Sequence, residues 1–463
     1  MRRVAAPIAA FTLALALGAC SLAPTYVRPA APVPPSWPVG DAYLQQSEES
    51  LPAVTYTDVF RDPRLQQLIA LALENNRNLR IAAANIDAAR AQVRVVGAAQ
   101  FPEIGVNGSV QVSDNGSERY VLQGGVSSFE LDLFGRLRNA TAAERDFALS
   151  TEAAARTVRL ALIADLATAW ATYAADRDLL AIAQDTAANA TRAVELTRLR
   201  LEGGIAPRTD LRQAEQLLAT AQGDLAAQQA AVAQDANLIQ LLAGAPLDPA
   251  LLPGGLQEIM DSIATLPAGT SSEVLLRRPD VIEAEYRLRS ANADIGVARA
   301  ALFPRISLTG VLGVASDALG SLFTGGAFSA TGTGAASAPI FDFGRRIATV
   351  RVTEAQRDAS VAAYERAIQN AFREVADALA VQGTIAERMR AARVSTEAAT
   401  DTAQLTEARY RGGISNFLAN LDAQRSLYNA RARETGILLR AIENRARLYR
   451  VLAADTALAT PES

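Results

Sequence analysis

The chain has 463 residues and a formal charge of −4, with half of its residues hydrophobic and only 5% aromatic. It lacks the basic excess that would indicate a nucleic-acid partner. Histidine and lysine are absent and Cys20 is the only cysteine, which excludes an intramolecular disulfide, enzymes built on serine–histidine or cysteine–histidine pairs, and those needing a Schiff-base or P-loop lysine.

Residues 1–19 have the pattern of a signal peptide. Two arginines precede an apolar stretch from Ile8 to Leu17 that is too short to span a membrane. Cys20 is then either an incidental cysteine or the acylated residue of a bacterial lipobox, and the small residues before it favour the lipobox. The pattern resembles bacterial lipoproteins, in which a serine after the cysteine, here Ser21, implies sorting to the outer membrane. We therefore expect S-diacylglycerol and an N-acyl group such as palmitate on Cys20, and no other cofactor.

The mature chain begins with a strap and a helix. The sequence from Ser21 to Pro38 is proline-rich and aperiodic, which predicts an extended conformation. Helical periodicity runs from Asp62 to about Gln100 and stops at Phe101-Pro102. A counterpart from Pro279 to Leu302 also stops at a Phe-Pro pair, so this helix is expected to occur twice.

After each Phe-Pro pair the periodicity becomes alternating, which predicts two β-hairpins. The apolar positions of the first strands are Ile104, Val106, Val110 and Val112, and Ile306, Leu308, Leu312 and Val314. Return strands are expected at Tyr120 to Leu133 and at Ala335 to Phe341, the second after a Gly/Ser/Thr-rich connection from Ala315 to Gly334. Strands of about ten residues have the length of tilted membrane-crossing strands.

Two long helices, 135–202 and 345–411, follow the hairpins. Neither contains a proline, and each would be roughly 100 Å long at 1.5 Å per residue. Phe343 follows Phe134 by 209 residues, and Gly413 follows Gly204 by the same interval. Two matched points without an insertion between them indicate a structural duplication.

A shorter helix follows each Gly-Gly pair, with a seven-residue repeat that predicts a coiled-coil seam. The repeated positions are Leu211, Leu218, Leu225, Val232 and Ile239, and then Leu421, Tyr428, Thr435, Ile442 and Tyr449. Residues 40–62, 244–275 and the tail after 452 are expected to form a belt.

This pattern divides the chain into six segments. They are the signal peptide 1–19, the lipidated N-terminus and strap 20–61, repeat 1 at 62–245 with strands at about 103–133, an equatorial linker 246–275, repeat 2 at 276–452 with strands at about 305–342, and a tail 453–463. Four strands cannot close a barrel, and unpaired edges are not tolerated in hydrocarbon. Closure therefore requires several chains, giving eight strands from two chains or twelve from three.

Several motifs resemble the TolC-like outer-membrane efflux proteins, and more closely their lipidated OprM/NodT-type branch. They are the lipobox, PTYVRP, FELDLFGR, IFDFGR, RLEGGIAPRTDLRQAE and RYRGGISNFLANLDAQRSL. The resemblance covers essentially the whole mature chain. It implies a homotrimer with a 12-stranded outer-membrane β-barrel that continues into a periplasmic α-helical tunnel. It also implies partnership with a periplasmic adaptor and an inner-membrane pump, commonly of the RND type, and export without chemistry.

The resemblance also implies a periplasmic gate. LANLDAQ places Leu418 as an apolar plug, with core packing as its other interpretation, and Asp422 as a carboxylate ring, with a solvated charge on a coiled coil as the less favoured interpretation. Tyr410 matches a latching aromatic, with core packing as its other interpretation, and Asp210 matches a carboxylate on the first-repeat coil. Some members have a further aspartate where this chain has Ala419, so the acidic ring is expected to be single here.

The two glycine turns are expected to contact the adaptor, because they end the long helices and expose backbone. Their residues are Gly203, Gly204, Gly412, Gly413 and Ile414. The alternative function is a periplasmic coiled-coil structural or adaptor lipoprotein without a pore. Two complete helix-hairpin-helix repeats favour the channel, a non-enzymatic exit duct in the outer membrane of a Gram-negative bacterium.

Overall fold

The computed structural model describes residues 21–43, 55–114, 116–266 and 271–453, so the signal peptide and Cys20 lie outside the described residues. The helices and strands are, in chain order, α1 (Tyr56–Val59), α2 (Pro63–Asn75), α3 (Arg77–Ala98), β1 (Ile104–Val112), β2 (Glu118–Glu130), α4 (Arg136–Glu202), α5 (Arg208–Ala243), α6 (Leu256–Ile259), α7 (Pro279–Ala300), β3 (Arg305–Ser316), β4 (Phe328–Ser337), α8 (Arg345–Arg411) and α9 (Phe417–Val451). The mainly helical fold and the repeated order of helix, hairpin, long helix and helix confirm the fold expected from the sequence. Within the described ranges, no helix combines the length and apolar character needed to cross a membrane.

The chain divides into two compact units. The first contains residues 83–154 and 280–367 together with the start of the chain up to residue 31. The second contains residues 32–82, 155–279 and 368 to the end. The sheet belongs to the first unit, and helices α5 and α9 belong to the second.

Helices α4 and α8 each have 67 residues. Neither contains a proline, and strong helix formers such as alanine, leucine, arginine and glutamate are frequent. Each begins just after an aspartate, Asp132 or Asp342, whose carboxylate accepts hydrogen bonds from nearby backbone N–H groups. The bond from the Arg346 side chain is the main cause that lowers the pKa of Asp342. A charged carboxylate also stabilises the helix N-terminus through the helix dipole.

Strands β1 to β4 form one antiparallel sheet in that order. Two neighbouring rows across the sheet are Gly108, Leu122, Val314 and Phe328, and then Asn107, Gln123, Gly313 and Ser329. Because successive side chains of a strand point to opposite faces, one face carries apolar residues and glycine while the other carries small and polar residues. Strands β1 and β4 are the sheet edges, and each has one side without a strand partner among the described residues.

The predicted position of the second return strand was wrong. It was expected at 335–341, but β4 is Phe328–Ser337 and β3 continues to Ser316. The residues from Ser329 to Gly334 are serine, threonine, alanine and glycine, so their composition is that of a connection. Strand β4 nevertheless forms ten residue pairs with β3, from Arg305 opposite Ser337 to Val314 opposite Phe328. This pairing holds the segment in a strand although its residues have a weak intrinsic preference for strands.

The helix before the first hairpin is two helices, since Asn76 separates α2 from α3. Its backbone is extended, with ψ of 132°. Its side-chain amide donates to the Leu242 carbonyl at 2.9 Å, and its Oδ1 accepts from the backbone N–H groups of Asn78 and Leu79. An asparagine side chain that replaces helical hydrogen bonds in this way ends one helix and starts the next.

In the first unit, one carboxylate of α7 holds the strap. Glu285 accepts hydrogen bonds from the Tyr26 hydroxyl at 3.2 Å and from Nε and Nη2 of Arg28 at 2.9 and 2.5 Å. Asn292, two turns further along α7, donates to the Pro24 carbonyl at 2.7 Å. The PTYVRP motif is therefore bound through the tyrosine, the arginine and the backbone of the first proline.

Replacing Glu285 by alanine is expected to release residues 21–31 from α7. The variant loses three hydrogen bonds to a charged acceptor, about 2–3 kcal/mol in total because Arg28 is half exposed. Hydrogen exchange of the strap amides measures the release. The control is Glu283→Ala, because Glu283 pairs with Arg287 on the same helix. Equal strap protection in the two variants would contradict the role of Glu285.

In the second unit, the segments outside the long helices pack against the helices. Trp170 on α4 is fully buried, and its Nε1 donates to the Leu251 carbonyl at 2.9 Å. The Arg445 guanidinium on α9 donates to two backbone carbonyls in the segment around the end of α6, at 2.7 and 2.9 Å. Phe60 packs edge-on against Tyr449, with ring centroids 5.1 Å apart. The residues predicted to form a belt thus contribute to the core of this unit.

Two carboxyl groups of the second unit, Asp176 on α4 and Asp235 on α5, interact with each other, and Oδ2 of Asp235 is buried without a hydrogen bond from any described residue. Burial is the main cause that raises the pKa of Asp235, to about 7, and the charge of Asp176 raises it further. Burial raises the pKa of Asp176 as well. The pair therefore retains a proton near neutral pH, which an aspartate in the unfolded chain, with a pKa of about 3.9, has already lost.

Because the folded state binds the extra proton, its stabilising contribution is complete below about pH 4 and is lost as the pH rises towards 7. We expect Asp235→Asn to unfold at a higher temperature than the native chain at pH 8, with a smaller difference at pH 5. Thermal unfolding of the purified protein at both pH values measures this. Asp185→Asn, which changes an exposed carboxylate on α4, the helix of Asp176, is the control. An identical pH response of Asp235→Asn and the native chain would contradict the prediction.

Candidate functional site at the two glycine turns

Helices α4 and α8 end in the same kind of turn. In each, the N–H of the isoleucine after the glycine pair donates to the carbonyl five positions earlier, at 2.8 Å. Gly204 and Gly413 have φ of +71° and +73°, a left-handed conformation that glycine adopts without strain. Ile205 and Ile414 are each 72% exposed. Both turns therefore present an apolar side chain and accessible backbone to solvent, and the first glycines, Gly203 and Gly412, are exposed beside them.

Tyr410, in the last turn of α8, is buried. Its ring packs against Phe417 of α9, with centroids 5.6 Å apart, in a cluster that includes Val194 and Ala214. The Arg200 guanidinium lies 4.7 Å from the ring centroid and donates from Nη1 to the Tyr410 carbonyl at 3.0 Å. A cation over an aromatic face is attracted by the ring quadrupole. Tyr410 therefore joins the ends of both long helices to the start of α9.

The structure does not bring Tyr410 and Asp210 into contact. The Tyr410 hydroxyl lies 3.4 Å from Oγ1 of Thr197 on α4. Asp210 is in the first turn of α5, where a carboxylate stabilises the helix dipole. No hydrogen bond joins Asp210 to Tyr410 within the described chain, so any latch involving both residues needs a different arrangement or a second chain.

Leu418 and Asp422 lie one helical turn apart on α9 and share an exposed face. Leu418 is 52% exposed. Asp422 is also exposed and lines a surface depression together with Thr402 and Thr406 of α8. Phe417 belongs to the opposite, buried face of the helix. The two gate candidates are therefore accessible in a single chain, as residues that meet copies of themselves across an axis must be.

The contacts of Tyr410 with Arg200 and Phe417 were not predicted from the sequence. Only Arg200 has a recognisable sequence pattern. Arg200 precedes its glycine pair as Arg409 precedes the second pair, 209 residues later, so aligning the repeats marks this position, although it does not predict the contact with Tyr410. Phe417 carried no comparable signal, since it is one of many apolar residues. Its position follows from Asn416, whose Oδ1 accepts from the Ala419 N–H at 2.9 Å and starts α9.

Lipidation of Cys20 stays a prediction, because this residue lies outside the described residues. The next residue, Ser21, is described, and its hydroxyl donates to Oδ1 of Asn139 in the first turn of α4 at 2.8 Å. The chain next to Cys20 is therefore held beside the start of the first long helix.

Comparison with known proteins gives a consistent result. The model of the outer membrane efflux protein family matches residues 68–245 and 270–454. The chain is 40% identical over 452 residues to the probable efflux pump outer membrane protein TtgC of Pseudomonas putida, covering 95% of this chain and 93% of that protein. It is 39% identical to outer membrane protein OprJ of Pseudomonas aeruginosa, covering 92% and 91% of the two chains. Among solved structures, the open state of the Neisseria gonorrhoeae MtrE outer membrane channel has a TM-score of 0.83 at 34% identity, over 94% of this chain and 100% of that one.

Proposed function

The chain belongs to the outer membrane efflux protein family, and from this premise we propose that it is the trimeric exit duct of a tripartite efflux system. It is an outer-membrane component of an efflux pump and not an enzyme. In the proposal, a periplasmic adaptor and an inner-membrane pump of the RND type deliver cargo to it. Lipid on Cys20 adds an anchor in the same membrane.

The sheet carries this proposal. It has one largely apolar face, one face of small and polar residues, and two edge strands, β1 and β4, that need partners in hydrocarbon. Pairing β4 of one copy with β1 of the next satisfies both edges. Eight strands, from two copies, make a barrel filled by its own side chains, whereas twelve strands, from three copies, leave a lumen. Conduction thus favours three copies, with the apolar face towards lipid.

Purification from outer membranes followed by planar-bilayer recording tests the proposal. We expect trimers that survive unheated detergent electrophoresis and that produce discrete conductance steps. A single subunit that leaves lipid vesicles sealed would contradict it. A protein that is soluble after removal of the lipid anchor would favour the alternative, an adaptor without a pore.

We propose further that the glycine turns contact the adaptor, at Gly203, Gly204, Gly412, Gly413 and Ile414. The support is the pair of matching turns, each with an isoleucine exposed at the end of a long helix. Cys20 is the only cysteine and is expected to be acylated, so an Ile414→Cys variant has one reactive thiol. It should cross-link to the adaptor, whereas Asp261→Cys, exposed in the segment after α6, should not. Cross-linking at residue 261 alone would contradict this assignment.

For the gate, we propose a ring of three Asp422 carboxylates with Leu418 as the apolar plug one turn away. Three like charges around one axis attract cations and repel each other. Replacing Asp422 by alanine is expected to lower the cation-to-anion permeability ratio by about twofold or more. Reversal potentials in asymmetric salt measure the ratio, with Asp401→Ala, an exposed carboxylate of α8, as the control. An unchanged ratio in the Asp422 variant would remove this residue from the constriction.

A further inference from the structure

The second unit contains a cavity, here called the tip cavity, that none of the proposed roles uses. Its volume is about 480 Å³, within the range of roughly 300–1,000 Å³ typical of small-molecule sites. Helices α4, α5, α8 and α9 all contribute to its wall. Tyr410, Phe417, Asn420 and Thr220 are among the residues of the wall.

The inner wall of the tip cavity is apolar and aromatic. Tyr410 and Phe417 are almost completely buried and lie at a tilted angle of 59° to each other. Leu196 of α4 and Leu421 of α9 pack against the same cluster, and Leu217 of α5 also lines the cavity. A planar aromatic ligand would find aromatic and aliphatic contacts here.

One polar side chain in this wall has no partner. Asn420 on α9 is 7% exposed, and its Oδ1 is buried without a hydrogen bond from any described residue. A buried carbonyl without a hydrogen bond destabilises the fold, so such groups normally have a partner. The oxygen can only accept a hydrogen bond. It therefore selects a ligand that carries an N–H or O–H donor.

Charged groups surround the apolar wall. Glu407 forms a salt bridge with Arg411. Among the described residues, neither Arg192 nor Arg425 forms a salt bridge, and Asp224 is the remaining carboxylate of the wall. Outside the Glu407–Arg411 salt bridge, the rim therefore has two guanidinium groups and one carboxylate, so its net charge is positive. The rim therefore favours a ligand with an anionic group.

From this combination we infer that the tip cavity binds an amphipathic aromatic anion carrying an N–H donor, one molecule per chain. The rings lie against Tyr410 and Phe417, the N–H donates to Oδ1 of Asn420, and the anionic group faces Arg192 and Arg425. The inference goes beyond the proposed duct, because binding is measured on the channel alone, without conduction or transport. A bound molecule would also contact α9 between the two gate candidates, since Asn420 lies between Leu418 and Asp422.

Two fluorescent probes with the same rings and the same N–H group separate the contributions. They are 8-anilino-1-naphthalenesulfonate, which has an anionic group, and N-phenyl-1-naphthylamine, which has none. The full-length protein is placed in lipid nanodiscs, and the signal of empty nanodiscs is subtracted. We expect saturable binding of the sulfonate with one site per chain, and weaker binding of the neutral probe.

Variants then locate the site. Replacing Asn420 by leucine removes the acceptor at similar size and should weaken sulfonate binding by about two- to tenfold. The control is Asn429→Leu, which removes an exposed amide of the rim on the same helix. Arg425→Gln should weaken binding of the sulfonate but leave the neutral probe unchanged. Thr220→Trp, at an exposed position of the wall, should fill the cavity and abolish binding of both probes.

Three results would overturn the inference. The first is the absence of saturable binding above empty nanodiscs, which is expected if the cavity holds only water or an adaptor side chain. The second is undiminished sulfonate binding in Thr220→Trp, a variant changed at the surface and expected to fold even if Asn420→Leu does not. The third is equal weakening of both probes by Arg425→Gln, which would exclude recognition of an anionic group.

Discussion

A channel in which Tyr410 is replaced by alanine is expected to conduct ions in its resting state. The substitution removes a buried aromatic ring from the contact between α4, α8 and α9, together with the face on which the Arg200 guanidinium lies. Large-to-small changes of buried aromatic residues cost about 3–5 kcal/mol. If even about 2 kcal/mol of this falls on the closed arrangement alone, the open population rises roughly 30-fold. Planar-bilayer recordings at low voltage measure the resting conductance.

Tyr410→Phe is the matched control. It keeps the ring and loses only a hydroxyl that lies 3.4 Å from Thr197, at the long end of hydrogen-bond distances. We expect a resting conductance close to that of the native channel. If alanine and phenylalanine at this position behave alike, the ring does not hold the proposed gate shut, and the hydroxyl or the backbone carbonyl bound by Arg200 carries the effect.

Replacing Trp170 by alanine is expected to lower the free energy of unfolding by about 3–5 kcal/mol. The side chain is fully buried on α4, and its Nε1 holds the Leu251 carbonyl. The variant therefore loses a large apolar contact and leaves a backbone acceptor unsatisfied. The yield of trimers that survive unheated detergent electrophoresis, followed over temperature, measures the loss.

The second tryptophan of the chain separates the hydrogen bond from the packing. Trp37 is also buried and packs against Phe372, with ring centroids 5.2 Å apart, but its Nε1 has no hydrogen-bond partner among the described residues. Both positions are changed to phenylalanine. Trp170→Phe should be less stable than Trp37→Phe by about 1–2 kcal/mol, because only the first loses a hydrogen bond. Equal midpoints for the two variants would show that the bond to Leu251 contributes nothing.

Much of the helical part could be predicted because its signals are local. The Phe-Pro pairs, the FGR sequences and the glycine pairs are short stretches whose backbone preferences do not depend on distant residues. The long helices accordingly end at Glu202 and Arg411, as expected. The Asn76 interruption was missed because asparagine also occurs within helices, and the Leu242 carbonyl that binds its side-chain amide is 166 residues away.

The coiled-coil seams show a finer limit. The leucines at 211 and 218 were expected as seam residues, and they are only partly buried against clusters in which Ala214 and Ala221 are the buried members. The leucines and the alanines both recur every seven residues, so the spacing does not predict which of them is more deeply buried. Burial depends on which side of the helix the neighbouring helices occupy, and a small residue is buried where they approach closely.

By itself, the sequence determined the duplicated order of helices and strands, the turns that end the long helices, and the family, because periodicity, proline and glycine act over a few residues. Only the tertiary structure decided that β4 begins at Phe328, that Arg200 lies on Tyr410, that Glu285 holds the strap, and that Asn420 faces a cavity with an unsatisfied oxygen. Each of these depends on groups brought together by folding, and a pairing between distant residues leaves no periodic trace in one sequence.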